Sequence, residues 1–575
     1  MRLKRKSTPI FIKLGKVGLH MGFKIGVGKS DFAKLRESDN YYVDKTELLY
    51  ELVHETDNEV TLFTRPRRFG KTLMMSMIEN FFNIRKNSKD IFNGLAITKH
   101  EDFCQKWMNQ YPVLLISLKD AESTTYEVAY EKLNTIIADL CKSISDISNN
   151  NLIDKDDLEI YAKLKAQRGT ESDIQNSLKV LMRMLYRVYD KKIILLIDEY
   201  DVPIAKSNEN DNKINQYYSK MFDIIKGILS TSLKDNEFLQ FAVLTGCLRI
   251  AKESIFTYIN NFVSYSVLDA NFSNYFGFSF DEVHAMLEAF DRTDKIDIIK
   301  EWYDGYIFGN SSIYCPWDLI NYISDLRQRN NAKPKNYWKH TSHNSILLSF
   351  VKRRDFNVKG KFEILMNNGS IVQKITDKLT YNNLHSSEDN LWSVLLMTGY
   401  LTKVDANVDE DMVRLKIPNK EVKSIFEETV VTLFKETIDI TIQKRMIQAF
   451  WDQDTSDATT TLSELLFRTI SYNDYHEDYY HAFLAGAFVG IGYAVESNKE
   501  KGLGRPDILI KDENNRRAII IEAKKSKKDS DLENDCNEAL HQIITKKYAD
   551  ELYGYKHILC YGVAFFQKQA LVKCL

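Results

Sequence analysis

The stretch VTLFTRPRRFGKTLMMSMIENFF, residues 60–82, limits the folds open to this chain more than any other part of it. A β-branched apolar run passes through a tight loop punctuated by Pro66 and Gly70. It then enters a segment whose apolar residues recur at helical spacing. A buried strand feeding straight into a helix needs a sheet for the strand and a face for the helix, which predicts a layered α/β architecture. Three more short apolar runs bounded by turn signals, Val113–Leu118, Ile193–Ile197 and Phe241–Thr245, read as buried parallel strands. Amphipathic helical stretches such as Thr72–Phe82 and Ser172–Tyr189 lie between them. We therefore place an α/β domain at 21–261, a mostly helical middle region without a chemistry-bearing cluster at 262–460, and a small α/β domain at 461–575. Residues 1–20 are strongly basic and are set aside as an N-terminal extension, with Met21 as an alternative start.

Strand, loop and helix in that order are also what a phosphate-binding loop requires. Arg65, Arg67, Arg68, Phe69 and Gly70 form the candidate loop, and backbone N–H groups at the following helix N-terminus would cradle the phosphates of ATP. Lys71 would reach the β- and γ-phosphates, and Thr72 would hold Mg²⁺. The departure from GxxxxGK[ST] is Arg65, where the first Gly belongs. Pro66 supplies turn rigidity, and Arg67 and Arg68 add positive charge. A basic surface loop capping a helix would explain the motif alone equally well. A similar run at Gly26–Ser30 is rejected, because Phe23 stands where the first Gly is needed and no good buried strand precedes it.

A second element favours the nucleotide. KKIILLIDEYD, residues 191–201, is an apolar strand ending in Asp198 and Glu199, at the sheet edge where open α/β folds bind ligands. Asp198 would bind Mg²⁺ through water, and Glu199 would orient or deprotonate the attacking water. The long gap between Lys71 and Asp198 implies a helical insertion. A third strand, FAVLTG, ends at Thr245, which could sense the γ-phosphate, and Arg249 or Lys252 could neutralise transition-state charge. A strand-to-helix turn with surface cations is the plainer reading.

Near the C-terminus, Pro506-Asp507 is followed by Glu522-Ala523-Lys524. Two short apolar strands flank a polar turn centred on Asn514 and Asn515, residues that tolerate left-handed geometry. That turn places Asp507 opposite Glu522, with Lys524 on the same face and Ala523 pointing away. Opposed carboxylates repel unless a cation lies between them, and all-oxygen ligands suit Mg²⁺. Such an ion would polarise a phosphodiester while Lys524 orients the nucleophile or stabilises developing charge. Glu477 is a third candidate metal ligand, and Glu500 is its rival. Lys499–Lys528 carry ten basic and five acidic side chains, which suits a nucleic-acid backbone passing over the site. His476 and His481 have no partner at metal-ligand spacing and are read as structural.

Composition narrows the classes. The 575 residues are 44% hydrophobic and 27% charged, which excludes a disordered or fibrous chain. A net charge of −2 excludes a polycation, so any nucleic-acid surface must be local. Seven scattered Cys without a CxxC read as reduced thiols, consistent with a cytoplasmic protein. The best candidate for a membrane span, Ala482–Val495, is 14 uncharged residues, short of the ~20 that span a bilayer.

YYVDKTELL (41–49), TRPRRFGKT, IDEYD, LTGCLRIAKESIF, YFGFSFDEV (275–283), EWYDGYIFG (301–309), YCPWDLINYI and LLMTGYLT together resemble one family. These are the AAA-ATPase-like proteins that carry a C-terminal nuclease-like domain of the PD-(D/E)XK type. The resemblance spans about residues 21–570 and departs at Cys315, where Asn is usual. It implies a P-loop ATPase fold, a helical middle region and a small α/β nuclease fold, with ATP and Mg²⁺ as cofactors. It also puts Gln542 and Tyr548 at the family's Gln/Tyr element, and a homo-oligomer through the ATPase domain is left open as a partner. The expected function is an ATP-hydrolysing protein coupled to a nuclease acting on nucleic acid, DNA before RNA, without a membrane. A role in defence against mobile DNA, or in its maintenance, rests on analogy of architecture alone. The alternative is a regulatory nucleotide-binding protein whose nuclease-like domain only binds nucleic acid or a protein partner.

Overall fold

The computed structural model describes residues 24–575 apart from 55–57, 206–211, 250–255, 257–261, 339–358, 367, 377–378, 380–386, 405–411, 428–439, 470–476, 490–492, 498–505 and 553. The N-terminal extension, Lys252, His476 and Glu500 therefore lie outside the described residues. The chain divides into two compact units, one of residues 1–342 and 372–421, the other of residues 343–371 and 422–575.

The first unit is built on a parallel sheet. Its strands are β1 (Val60–Thr64), β2 (Val113–Ser117), β3 (Ile193–Asp198), β4 (Leu239–Gly246) and β5 (Phe262–Tyr265), in the order β2-β3-β4-β1-β5. β1 and β3 are buried along their whole length, which explains their unbroken apolar runs. Helix α1 (Lys71–Phe82) follows β1, and three helices, Tyr126–Ser143, Lys155–Lys165 and Glu171–Tyr189, fill the gap between β2 and β3. The last of these starts at a capping box, in which Thr170 and Asp173 satisfy each other's backbone N–H. β5 lies beyond residue 261, so the sheet continues into the region expected to be helical. There it pairs with β1, which is itself central because β4 covers its other edge.

The middle region does hold a chemistry-bearing cluster, contrary to the sequence reading. Asp318, on the helix Pro316–Gln328, and Glu421 are both fully buried. The Glu421 carboxylate accepts the backbone N–H groups of Tyr337 at 2.6 Å and Trp338 at 2.9 Å. Burial raises the pKa of both carboxyls, and in Glu421 the neighbouring Asp318 adds to it. The folded state thus holds a proton that the unfolded chain releases above the ordinary carboxylate range, so stability falls as pH rises through and beyond that range. While this difference persists the loss is up to about 1.4 kcal/mol per pH unit. Glu421→Gln keeps the acceptor and removes the ionisation. We expect thermal unfolding at pH 6 and pH 9 to differ less in this variant than in the wild type.

The second unit has a mixed sheet of β6 (Ala494–Ser497), β7 (Ile508–Asp512), β8 (Arg517–Lys525), β9 (His557–Phe566) and β10 (Gln569–Cys574), in that spatial order. Only β8 and β9 run parallel, and the helix α2 (Leu532–Lys546) connects them. Gly562 on β9 permits the close helix, since a β-carbon there would stand 2.3 Å from the Cys536 carbonyl oxygen. Ile508, Ile510, Ile519, Ile521 and Ala523 face one core, which includes Met446, Phe450, Leu462 and Phe483. Leu509, Ala518 and Ile520 face the other, with Ile543 and Tyr548. This core reaches back past the expected boundary at 461, because the helix Ile440–Asp452 covers the first face.

The hairpin β7–β8 has the expected register, with Ile508 opposite Ile521 and Asp512 opposite Arg517. Its turn is different. Four residues separate Asp512 from Arg517, and the left-handed residue is Arg516 at φ 51° rather than either Asn. The Asp512 carboxylate closes the loop by accepting from Asn515 N, Asn515 Nδ2 and Arg517 Nε.

Candidate functional sites

The loop between β1 and α1 is held from several directions. Gly70 caps α1 at φ 87°, and Arg68 is also left-handed at φ 74°. Phe69 is buried against Tyr306 and Phe308, and the Arg68 guanidinium lies 4.1 Å above the Trp317 ring. Cys315 donates its thiol to the Arg68 carbonyl at 3.8 Å, which gives the departure from the family pattern a structural role.

The Lys71 side chain folds into this loop. Its Nζ donates to the carbonyls of Arg65 at 3.1 Å and Pro66 at 3.2 Å, and lies 3.4 Å from Glu199 Oε1. Burial opposes its charge, but Cys247, Glu199, Asp201 and Asp198 outweigh burial and raise its pKa. Thr72 donates to Asp198 Oδ2 at 2.9 Å, and Thr245 donates to the other oxygen of the same carboxylate. Burial raises the pKa of Asp198. Thr245 also accepts from Glu199 N at 3.2 Å. Glu199 adopts φ 54°, a conformation costly for a residue with a β-carbon, and its Oε2 is buried without a hydrogen-bond partner among the described residues. The IDEYD turn packs against Gly246, where a β-carbon would meet the Tyr200 ring at 2.6 Å.

Lys71, Thr72, Asp198, Glu199 and Thr245 are thus brought together, and half-buried Arg67 faces Glu199 and Asp201. Arg65 is not brought there, which corrects the expectation that it contacts phosphate. Its guanidinium is fully buried, donates to the carbonyls of Thr64 and Tyr265, and lies 4.8 Å from the Phe276 ring centre. Parallel pairing of β1 with β5 turns this side chain into the core. Arg249 follows β4 and stacks on Phe262. Asp201 is a functional-looking residue the motif reading passed over. It accepts from Cys247 N and Leu248 N at 3.0 Å each and fixes the turn after β4. An apolar pocket adjoins Gly70, lined by Ile25, Tyr41, Phe69, Met74 and Phe278 among others. The rejected run at Gly26–Ser30 borders it, with Lys29 exposed and bonded to Ser38.

In the second unit, β7 and β8 deliver the two carboxylates to one end of the sheet. Asp507 Oδ2 accepts from Ala523 N at 2.8 Å, and Asp507 N lies 3.4 Å from its acceptor, Glu522 Oε2. Lys524 donates to Gln542 Oε1 at 2.9 Å, and the Gln542 amide donates to Glu522 Oε1. Gln542 on α2 therefore ties Glu522 to Lys524, and Tyr548 closes the set from below as a buried neighbour. Burial, then repulsion from Asp507, pushes the Glu522 carboxyl up to about 8, so an arriving cation would displace a proton. This donor chemistry suits a divalent ion. Among the described residues, however, no group of three His, Cys, Asp or Glu side chains is already arranged around one. Glu477 begins the helix Glu477–Val489, and its side chain lies outside the described residues.

Comparison with known families matches residues 26–256 to the family described as predicted AAA-ATPase, and residues 475–574 to the PD-(D/E)XK nuclease superfamily. The chain carries an AAA-ATPase-like domain and a PD-(D/E)XK nuclease-superfamily domain. It is also 24% identical over 504 residues to a protein of Azotobacter chroococcum mcd 1 described as "Uncharacterized protein in vnfD 5'region". That similarity covers 85% of this chain and 87% of the other. The Lys71 and Glu199 cluster falls in the AAA-ATPase-like domain, and Asp507, Glu522 and Lys524 fall in the nuclease-superfamily domain. Among the described residues no helix is long and apolar enough to cross a membrane.

Proposed function

We propose that this protein hydrolyses ATP in its first unit and uses that cycle to control a divalent-metal-dependent nuclease in its second, with DNA as the substrate. The observation that carries the reading is the meeting of Asp507, Glu522 and Lys524 at one strand end, bridged by Gln542. A module that only bound nucleic acid would need its cations and would gain nothing from two opposed, partly buried carboxylates.

In the first unit, Lys71 would leave Glu199 and the loop carbonyls for the phosphates, Thr72 and Asp198 would hold Mg²⁺, and the freed Glu199 would face the water. The apolar pocket beside Gly70 would take the base. In the second unit, Asp507 and Glu522 would hold the ion and Lys524 would orient the nucleophile or stabilise charge on the scissile phosphate.

Nicking of supercoiled plasmid by the purified full chain, with and without divalent metal and ATP, tests the reading. Cleavage that requires metal and responds to ATP is expected. Binding of DNA with no cleavage under any metal or nucleotide condition would favour the second reading, a nucleic-acid-binding module. Lys525, Lys527 and Lys528 are exposed beside the site. Replacing all three with Ala should weaken DNA binding and flatten its salt dependence, as measured by filter binding across a salt series.

A further inference from the structure

The loop before α1 carries three arginines, Arg65, Arg67 and Arg68, and the fold gives each a different place. Arg65 is buried against β5 and donates to the carbonyls of Thr64 and Tyr265. Arg68 lies over the Trp317 ring. Arg67 turns the other way, into the cluster around Lys71, where its half-buried guanidinium faces Cys247, Glu199 and Asp201. These groups sit close together. Lys71 Nζ lies 3.4 Å from Glu199 Oε1 and 3.9 Å from Cys247 Sγ, and donates at 3.2 Å to the carbonyl of Pro66, the residue before Arg67. Arg67 therefore stands beside the carboxylate assigned to the attacking water. On the open side of the same loop, a β-carbon on Gly70 would meet nothing within 4 Å, which leaves room for phosphate at the helix N-terminus.

The charges around that space need a second cation. Asp198, Glu199 and Asp201 all act on Lys71, and three carboxylates would repel a triphosphate that met Lys71 alone. Arg249 stacks on Phe262. Asp201 is fixed by the N–H groups of Cys247 and Leu248 at 3.0 Å each, so it keeps its hold on Arg67 when Glu199 turns to the water.

We propose that Arg67 is a catalytic residue of ATP hydrolysis, an arginine that the phosphate loop supplies to its own site, so that no cation from a second chain is needed. This rests on the ATPase reading above. The water oxygen bonds to the γ-phosphorus, the bond to the β–γ bridging oxygen breaks with its electron pair left on ADP, and the water proton passes to Glu199. Arg67 donates to the γ-phosphoryl oxygens, where charge is concentrated during transfer, and its planar fork matches two of them at once.

The test follows phosphate release, binding of labelled ADP, and trapping of ADP with aluminium fluoride, a mimic of the phosphoryl group in transfer, all on the full chain. Arg67→Ala should still bind ADP, lose hydrolysis on the order of a thousandfold and fail to form the fluoride complex. Arg67→Lys should recover only a small part of either, because an ammonium has no planar fork. Lys71→Ala chains keep Arg67, and an excess of them mixed with Arg67→Ala chains should not restore hydrolysis. Restoration would overturn the proposal, since the arginine would then act between chains. Hydrolysis and fluoride trapping undiminished in Arg67→Ala would also overturn it. So would loss of ADP binding in both Arg67 variants, which would make Arg67 a residue that only shapes the loop. Each of these outcomes leaves the ATPase reading standing, whereas a wild-type chain that hydrolyses no ATP would overturn both.

Discussion

Asp507→Ala and Glu522→Ala should each reduce metal-dependent phosphodiester cleavage on the order of a thousandfold or more, because either change leaves the ion short of a carboxylate. Glu522 is the more buried of the two and is held by Gln542, so its loss also frees Lys524 from its bridge. Lys524→Ala should lower cleavage comparably while the metal still binds, since the ammonium acts on the nucleophile or the phosphate rather than on the ion. The double variant Asp507→Ala/Glu522→Ala should be little worse than either single change, because the members act as one unit. DNA affinity should survive all of these substitutions. Gel-resolved cleavage and salt-dependent binding on the same preparations check each arm, and undiminished cleavage by either carboxylate variant would remove the site assignment.

Lys71→Ala should abolish ATP hydrolysis and weaken nucleotide binding. It removes the buried cation that now sits between the loop carbonyls of Arg65 and Pro66 and the Glu199 carboxylate. It also leaves Glu199, Asp198 and Asp201 without that compensation. Glu199→Gln should retain bound ATP and stop turnover, a loss on the order of 10²–10³ in rate, because the Thr72–Asp198–Thr245 connections stay intact. Phosphate release and equilibrium binding of labelled ATP separate the two outcomes. Lys29→Ala is the control. This side chain is exposed and bonded to Ser38, so hydrolysis should be unchanged.

How far the chain could be read without its fold varied from element to element. The four strand runs and the hairpin register were legible, since continuous burial and two-residue periodicity leave direct marks in the pattern of Val, Ile and Leu. The edge strand Phe262–Tyr265 was not legible. It is short and half-buried, and only its parallel pairing with Val60–Phe63 makes it a strand. The hairpin turn was misread because Asn514 and Asn515 suggest a two-residue turn, whereas the Asp512 carboxylate stabilises a four-residue one. Arg65 was misassigned for a related reason. A cation beside a phosphate-type loop looks like a ligand in sequence, and only the packing of β5, Phe276 and Phe308 shows where the guanidinium goes.

The sequence by itself determined that a strand–loop–helix unit carries Lys71 and Thr72, that a buried strand ends in Asp198 and Glu199, and that Asp507, Glu522 and Lys524 share one hairpin face. These are local facts, governed by residue type and by periods of 2 and 3.6. Tertiary structure alone decided that Lys71 pairs with Glu199, that Thr72 and Thr245 share Asp198, that Asp318 lies with Glu421, and that His481 reaches Asp507. Each of these links residues on separate elements whose distance along the chain says nothing of their distance in space. Strand order, helix packing and burial set them, and those depend on the whole hydrophobic core at once.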